Sequence, residues 1–179
     1  AFLEVTLDAT HGGSVESIEA KPGSHRLTIP PEQFQGLRSF QDRIFTNRRE
    51  GDTIVEEFER FTGYPFSATV LENGPESVTV RMSCAARSDT FRWLTVSKTY
   101  TLKRNTAALL VEHELANSSN EARAAGIWNC TAIRATGVFS ERNTFFDPAP
   151  EGLRAIAHPG KDATNQGDFV LQPPRGWKA

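Results

Sequence analysis

Proton-transfer chemistry needs a group that ionises near neutrality, and the chain has four histidines, His11, His25, His113 and His158. His113 stands out by its neighbours. Period-two alternation puts Val111, His113 and Leu115 on one strand face and Glu112 and Glu114 on the other. A histidine on such an apolar face either has its nitrogens satisfied in the core or opens on a pocket, where it serves as acid or base. His113 is therefore the catalytic candidate. His11, beside Gly12 and Gly13, reads as a turn residue, and His25 and His158 lie near prolines in loops. Glu56/Glu57, Glu112/Glu114 and Asp42 could supply carboxylates for an acid–base couple, although solvated strand faces account for most of them.

A second kind of chemistry is recognition of sugars. A pyranose stacks its apolar C–H face on an aromatic ring, while its hydroxyls need fixed donors and acceptors. Trp128 and Asn129 supply a ring and an amide side by side, on opposite faces of one strand. Trp93 beside Arg92, and the group Asp42, Arg43, Arg48 and Arg49, add to them. The substrate-binding candidates are thus Trp128, Asn129, Asp42, Arg43, Arg49 and Trp93, with a saccharide as the expected ligand.

Other classes are set aside. The chain has no GxSxG, Walker loop, GxGxxG or HExxH, which removes serine-hydrolase, nucleotide-binding and zincin readings. It also lacks a CxxC or a Cys/His cluster, so no metal and no cofactor is expected. Whether calcium sits among loop carboxylates such as Asp147 and Glu151 is left open. The formal net charge of −2 gives no basic excess for phosphate backbones, so nucleic acid is not an expected partner. No apolar run approaches the ~20 residues that span a bilayer. Cys84 and Cys130 are too few for a disulfide framework and are expected as free thiols.

Strands must position these groups. Short alternating segments separated by turn residues recur, the pattern of an all-β antiparallel sandwich with few or no helices. Strands are expected at Phe2–Leu7, Ser14–Ala20, Arg26–Ile29, Thr53–Phe61, Phe66–Leu71, Ser77–Ala85, Phe91–Leu102, Ala107–Asn117 and Ala124–Arg134. His11-Gly12-Gly13 is a turn, and Asn73-Gly74 a hairpin signal. Glu32–Arg49, with its possible helical turn and basic end, is expected as a long irregular loop, which often carries function. After Phe139 the pattern dissolves into a loop through Ser140–Gly152, and Phe169-Val170-Leu171 reads as a last short strand. The chain, 1–179, is expected to be one sandwich domain that is a fragment of something longer, because it stops on Gly176-Trp177-Lys178-Ala179 with no polar tail. Starting at Ala1 with no signal peptide, it favours a periplasmic or secreted location slightly over a cytoplasmic one.

The segment Leu3–Ala20 (LEVTLDATHGGSVESIEA) resembles the start of the galactose mutarotase-like, or aldose 1-epimerase-like, β-supersandwich superfamily. The segment Leu94–Ser119 (LTVSKTYTLKRNTAALLVEHELANSS), followed by the Trp128-Asn129 strand, is similar to that superfamily's central pattern. There a strand bearing lysine and tyrosine precedes an alternating strand that ends in asparagine. The likeness covers roughly residues 1–135. It implies a supersandwich-like fold and carbohydrate as ligand class, bound on a concave sheet face. It does not imply mutarotation, because the N-H-x-Y-F-N-type motif that carries the epimerases' general-acid histidine is missing. The leading expectation is a carbohydrate-binding or accessory domain of a sugar-processing protein. The alternatives are an epimerase-like sugar isomerase using a His/Glu pair around His113, or a structural domain that packs on a neighbouring domain or subunit.

Overall fold

The computed structural model describes residues 2–21, 23–33 and 36–131, together with the backbone of two strands at Thr144–Ala149 and Gly152–Ala157; at 48, 49 and 54 only the backbone is described. The fold is all-β, a sandwich-like arrangement in which every strand pair is antiparallel. The chain divides into two compact units, 1–133 and 134–179.

The first unit holds three sheets. β1 (Leu3–Asp8), β2 (Ser14–Ala20) and β3 (His25–Arg26) form one. β4 (Gln41–Glu50) lies between β5 (Thr53–Arg60) and β10 (Gly126–Cys130) in the second. β6 (Ser67–Asn73), β7 (Ser77–Ala85), β8 (Leu94–Lys103) and β9 (Leu109–Asn117) form the third in simple up-and-down order. Two short 3₁₀ turns, Pro31–Gln33 and Phe61–Gly63, are the helical elements among the described residues.

Strand alternation dictates the core. Leu94, Val96, Lys98, Tyr100 and Leu102 share a face of β8, in register with Asn117, Leu115, His113, Val111 and Leu109 of β9. Val96, Tyr100 and Leu94 are buried there with Met82 of β7. They pack with Ile44 of β4, Val15 and Ile18 of β2, and a ring cluster of Phe61, Phe66 and Phe91. Beside this core an apolar groove of about 310 Å³ runs between Leu3, Val5 and Leu7 of β1 and Val80, Leu102 and Leu109 of the large sheet.

Three expectations need correcting. Much of the supposed loop Glu32–Arg49 is strand β4, whose eight-residue pairing with β5 runs from Arg43 to Glu50. Its alternation was hidden because the inward positions start with a buried carboxylate, Asp42, and the outward ones start with an arginine, Arg43. The expected strand Arg26–Ile29 shrinks to the two residues His25–Arg26. The stretch expected as a loop at Ser140–Gly152 contains β11 (Thr144–Ala149), which pairs with β12 (Gly152–Ala157) to form the second unit's hairpin. Phe169–Leu171, His158 and Glu151 lie outside the described residues, as does the side chain of Asp147.

Candidate functional site

Pairing β10 onto β4 sets Asn129 opposite Asp42 and Trp128 opposite Arg43. Neighbouring residues of a strand point to opposite faces, so these four candidates divide into an inner pair and an outer pair.

The inner group is polar and closed. Asp42 and Lys98 are both fully buried, with the lysine Nζ 2.7 Å from Asp42 Oδ2. That contact is a close ion pair rather than an aligned hydrogen bond. The ammonium donates to the carbonyls of Gly12 at 2.6 Å and Phe40 at 2.5 Å. Those carbonyls are presented by left-handed backbone at Gly12 (φ 75°) and Phe40 (φ 62°), a conformation that glycine adopts freely and phenylalanine only under constraint. Tyr100 donates to the next carbonyl of the same turn, Gly13 O, at 2.7 Å. Lys98 and Tyr100 thereby tie the His11-Gly12-Gly13 turn to β8.

Asp42 Oδ1 completes the cluster. It accepts from Asn129 Nδ2 at 2.8 Å and faces His113 Nε2 at 3.2 Å. Burial alone would raise the Asp42 pKa, but the His113 contact, the Lys98 charge and the Asn129 amide outweigh it and hold the carboxyl below its ordinary value. Burial pushes the Lys98 ammonium below its ordinary value against the pull of Asp42. Burial, with the Asp42 charge adding to it, raises the Tyr100 phenol. The His113 side chain is 23% exposed and Asn129 is half-buried, so the cluster meets solvent at these two residues while Asp42 and Lys98 are closed off. With Nε2 directed at the Asp42 carboxylate, Nδ1 is the ring nitrogen left for a ligand.

The outer group is aromatic and cationic. The Arg43 guanidinium lies 4.8 Å from the centre of the Trp128 ring and 5.6 Å from that of Phe58. Trp128 is 46% exposed and Phe58 41%. Phe45 extends the patch, tilted against Phe58 at 6.2 Å, and its ring occupies the space a side chain at Gly126 would need. Arg60, directly opposite Arg43 on β5, stands on the same face.

The remaining candidates fall elsewhere. Trp93 donates its indole N–H to Thr90 O and packs on Phe91, joining neither group. The side chain of Arg49 is outside the described residues. Glu114 pairs with Arg81 on the face away from His113, and His11 pairs with Asp8 at 2.7 Å. Cys84 and Cys130 are free thiols, half-buried. No group of three or more metal-ligating side chains occurs among the described residues, and no described helix is long and apolar enough to cross a membrane.

Two features went unnamed in the sequence. Lys98 was visible as a lone cation on an apolar strand face, a signal that a buried counter-ion lies opposite. Glu59, 1% exposed, accepts from Tyr64 OH at 2.5 Å and from the Ser88 amide and hydroxyl. Set against family models, curated proteins and solved structures, the chain gives no match.

Proposed function

We propose that this chain is a carbohydrate-binding β-sandwich module that docks saccharide on the outward face of β10–β4–β5. The observation that carries this reading is the Arg43 guanidinium held between two half-exposed rings, Trp128 and Phe58. A ring open to solvent gives a sugar's C–H face a stacking surface, and the arginine beside it supplies several fixed donors for hydroxyls. Burial of this arrangement in the native core is not what it serves, because both rings remain exposed on a sheet whose other face already fills the interior. The test is calorimetric titration of a saccharide panel into the full chain, with Trp128→Ala alongside. Binding that the variant loses supports the reading, and a panel without any binding removes it.

A second reading has its own observation, the Asp42–His113 contact at the solvent edge of the buried cluster. A carboxylate that fixes an imidazole and leaves its other nitrogen open is the arrangement of a general acid–base group. In this reading the carboxylate partner is Asp42, with Glu112 and Glu114 on the opposite face. It predicts accelerated sugar anomerisation and a loss of at least ~100-fold in His113→Ala. An unchanged rate in that variant removes His113 from any mechanism.

A further inference from the structure

We infer that the ligand of the β10–β4–β5 face is an acidic saccharide whose carboxylate is gripped by Arg43 and Arg60, a proposal that rests on the saccharide reading above. The observation is an imbalance of charge on that face. Arg26, Arg38, Arg81, Arg92, Arg104 and Arg123 each face a protein carboxylate. Arg43, Arg60 and Arg87 do not: among the described residues no carboxylate lies within ion-pairing range of any of them, and while Arg87 rests on the Tyr64 ring elsewhere, Arg43 and Arg60 stand directly opposite each other across β4 and β5.

Like charges directly opposed on one sheet face destabilise it, so the pair persists at a cost that a bound anion would relieve. Stacking on Trp128 and Phe58 constrains the plane of the Arg43 guanidinium and leaves its N–H edge unoccupied. That edge is a rigid fork matched to the two oxygens of a carboxylate. A uronic acid presents both complementary parts on one ring, an apolar face for Trp128 and a carboxylate at its rim for the two arginines. A neutral sugar would use the rings and leave the fork to water. The chain as a whole carries a net charge of −2, so this is a local cationic site and not part of a polybasic surface for nucleic acid.

The test is calorimetry on the full chain with tetrasaccharides of galacturonate, glucuronate and mannuronate, each paired with its carboxyl-reduced counterpart. At least one uronate should bind at least ~10-fold more tightly than its reduced partner, the scale of a hydrogen bond to a charged group. Arg43→Gln and Arg60→Gln should each weaken it by a similar factor, while Arg104→Gln, which removes an equal charge from the distant β8–β9 turn, leaves it unchanged. Arg60 is exposed, so its variant stands if Arg43→Gln impairs folding. Equal binding of charged and reduced sugars overturns the acidic ligand and leaves the saccharide reading in place. No binding by any sugar overturns both. Uronate binding that neither arginine variant alters, or a single-stranded oligonucleotide that outcompetes the uronates, overturns the inference as well.

Discussion

Replacing Lys98 by methionine is the sharpest test of how the inner cluster holds the fold. The methionine keeps most of the side-chain volume but removes the ammonium that faces Asp42 Oδ2, Gly12 O and Phe40 O, all within 2.7 Å. Asp42, fully buried, then keeps only its Asn129 and His113 contacts on Oδ1, and Oδ2 is left uncompensated. Removing one partner of a buried ion pair costs about 3–5 kcal/mol, a large share of the ~5–15 kcal/mol that holds a typical domain together. With a urea slope near ~2 kcal/mol/M, the unfolding midpoint should fall by roughly 2 M. Asp42→Asn should cost a comparable amount by stranding the lysine. The double variant Lys98→Met/Asp42→Asn removes both charges, so it should fall short of the sum by ~2 kcal/mol or more. It should still lie below the unaltered chain, because the Gly12 and Phe40 carbonyls have lost their donor, at about 1–3 kcal/mol each. Singles that add to within ~0.5 kcal/mol, or a Lys98→Met midpoint shift under ~0.5 M, would refute the claim that this pair organises the core.

The same cluster sets the pH limits. Asp42 titrates below its ordinary value of 3.8 in the folded chain, so its contribution is complete above that value and is lost as pH falls through the folded pKa. Thermal melts from pH 5 downward should show this decline, and Asp42→Asn should flatten it in part, because half-buried Asp8 is also held below its ordinary value and adds in the same direction. At the alkaline end Tyr100 is raised above 10.0 in the folded chain, so above that pH the unfolded tyrosine ionises first and stability falls; Tyr100→Phe should shallow the slope in urea titrations. Gly126→Ala would drive a Cβ into the Phe45 ring, and the displaced ring should cost ~1–3 kcal/mol by urea unfolding; an unaltered midpoint would mean the ring does not pack there.

The strands that the sequence made plain are those with clean alternation. β7 runs from Ser77 to Ala85 and β9 ends at Asn117, both where turn residues and apolar spacing place them. The face shared by Val111, His113 and Leu115 was equally readable, and Trp128 and Asn129 do point to opposite faces. β4 was obscured because the residues that make it important also break the apolar pattern. Asp42 occupies a core position as a charge, and Arg43 is a cation resting on aromatic rings. Without β4, the approach of Asp42 to His113, and of Arg43 to Trp128, had no local signal. Those contacts join residues 71 and 85 positions apart in the chain through sheet packing and strand register alone. Trp93 shows the converse: an aromatic beside an arginine in sequence is here anchored to its own turn.

The most direct measurement is a heteronuclear NMR titration of the full chain that follows the tryptophan indole N–H signals. The Trp128 signal is assigned by its loss in Trp128→Phe. The saccharide reading predicts that a bound sugar shifts the Trp128 indole saturably while that of Trp93, hydrogen-bonded to Thr90 O, stays in place. A Trp128 signal that no saccharide moves, or a sugar that shifts only Trp93, would contradict it.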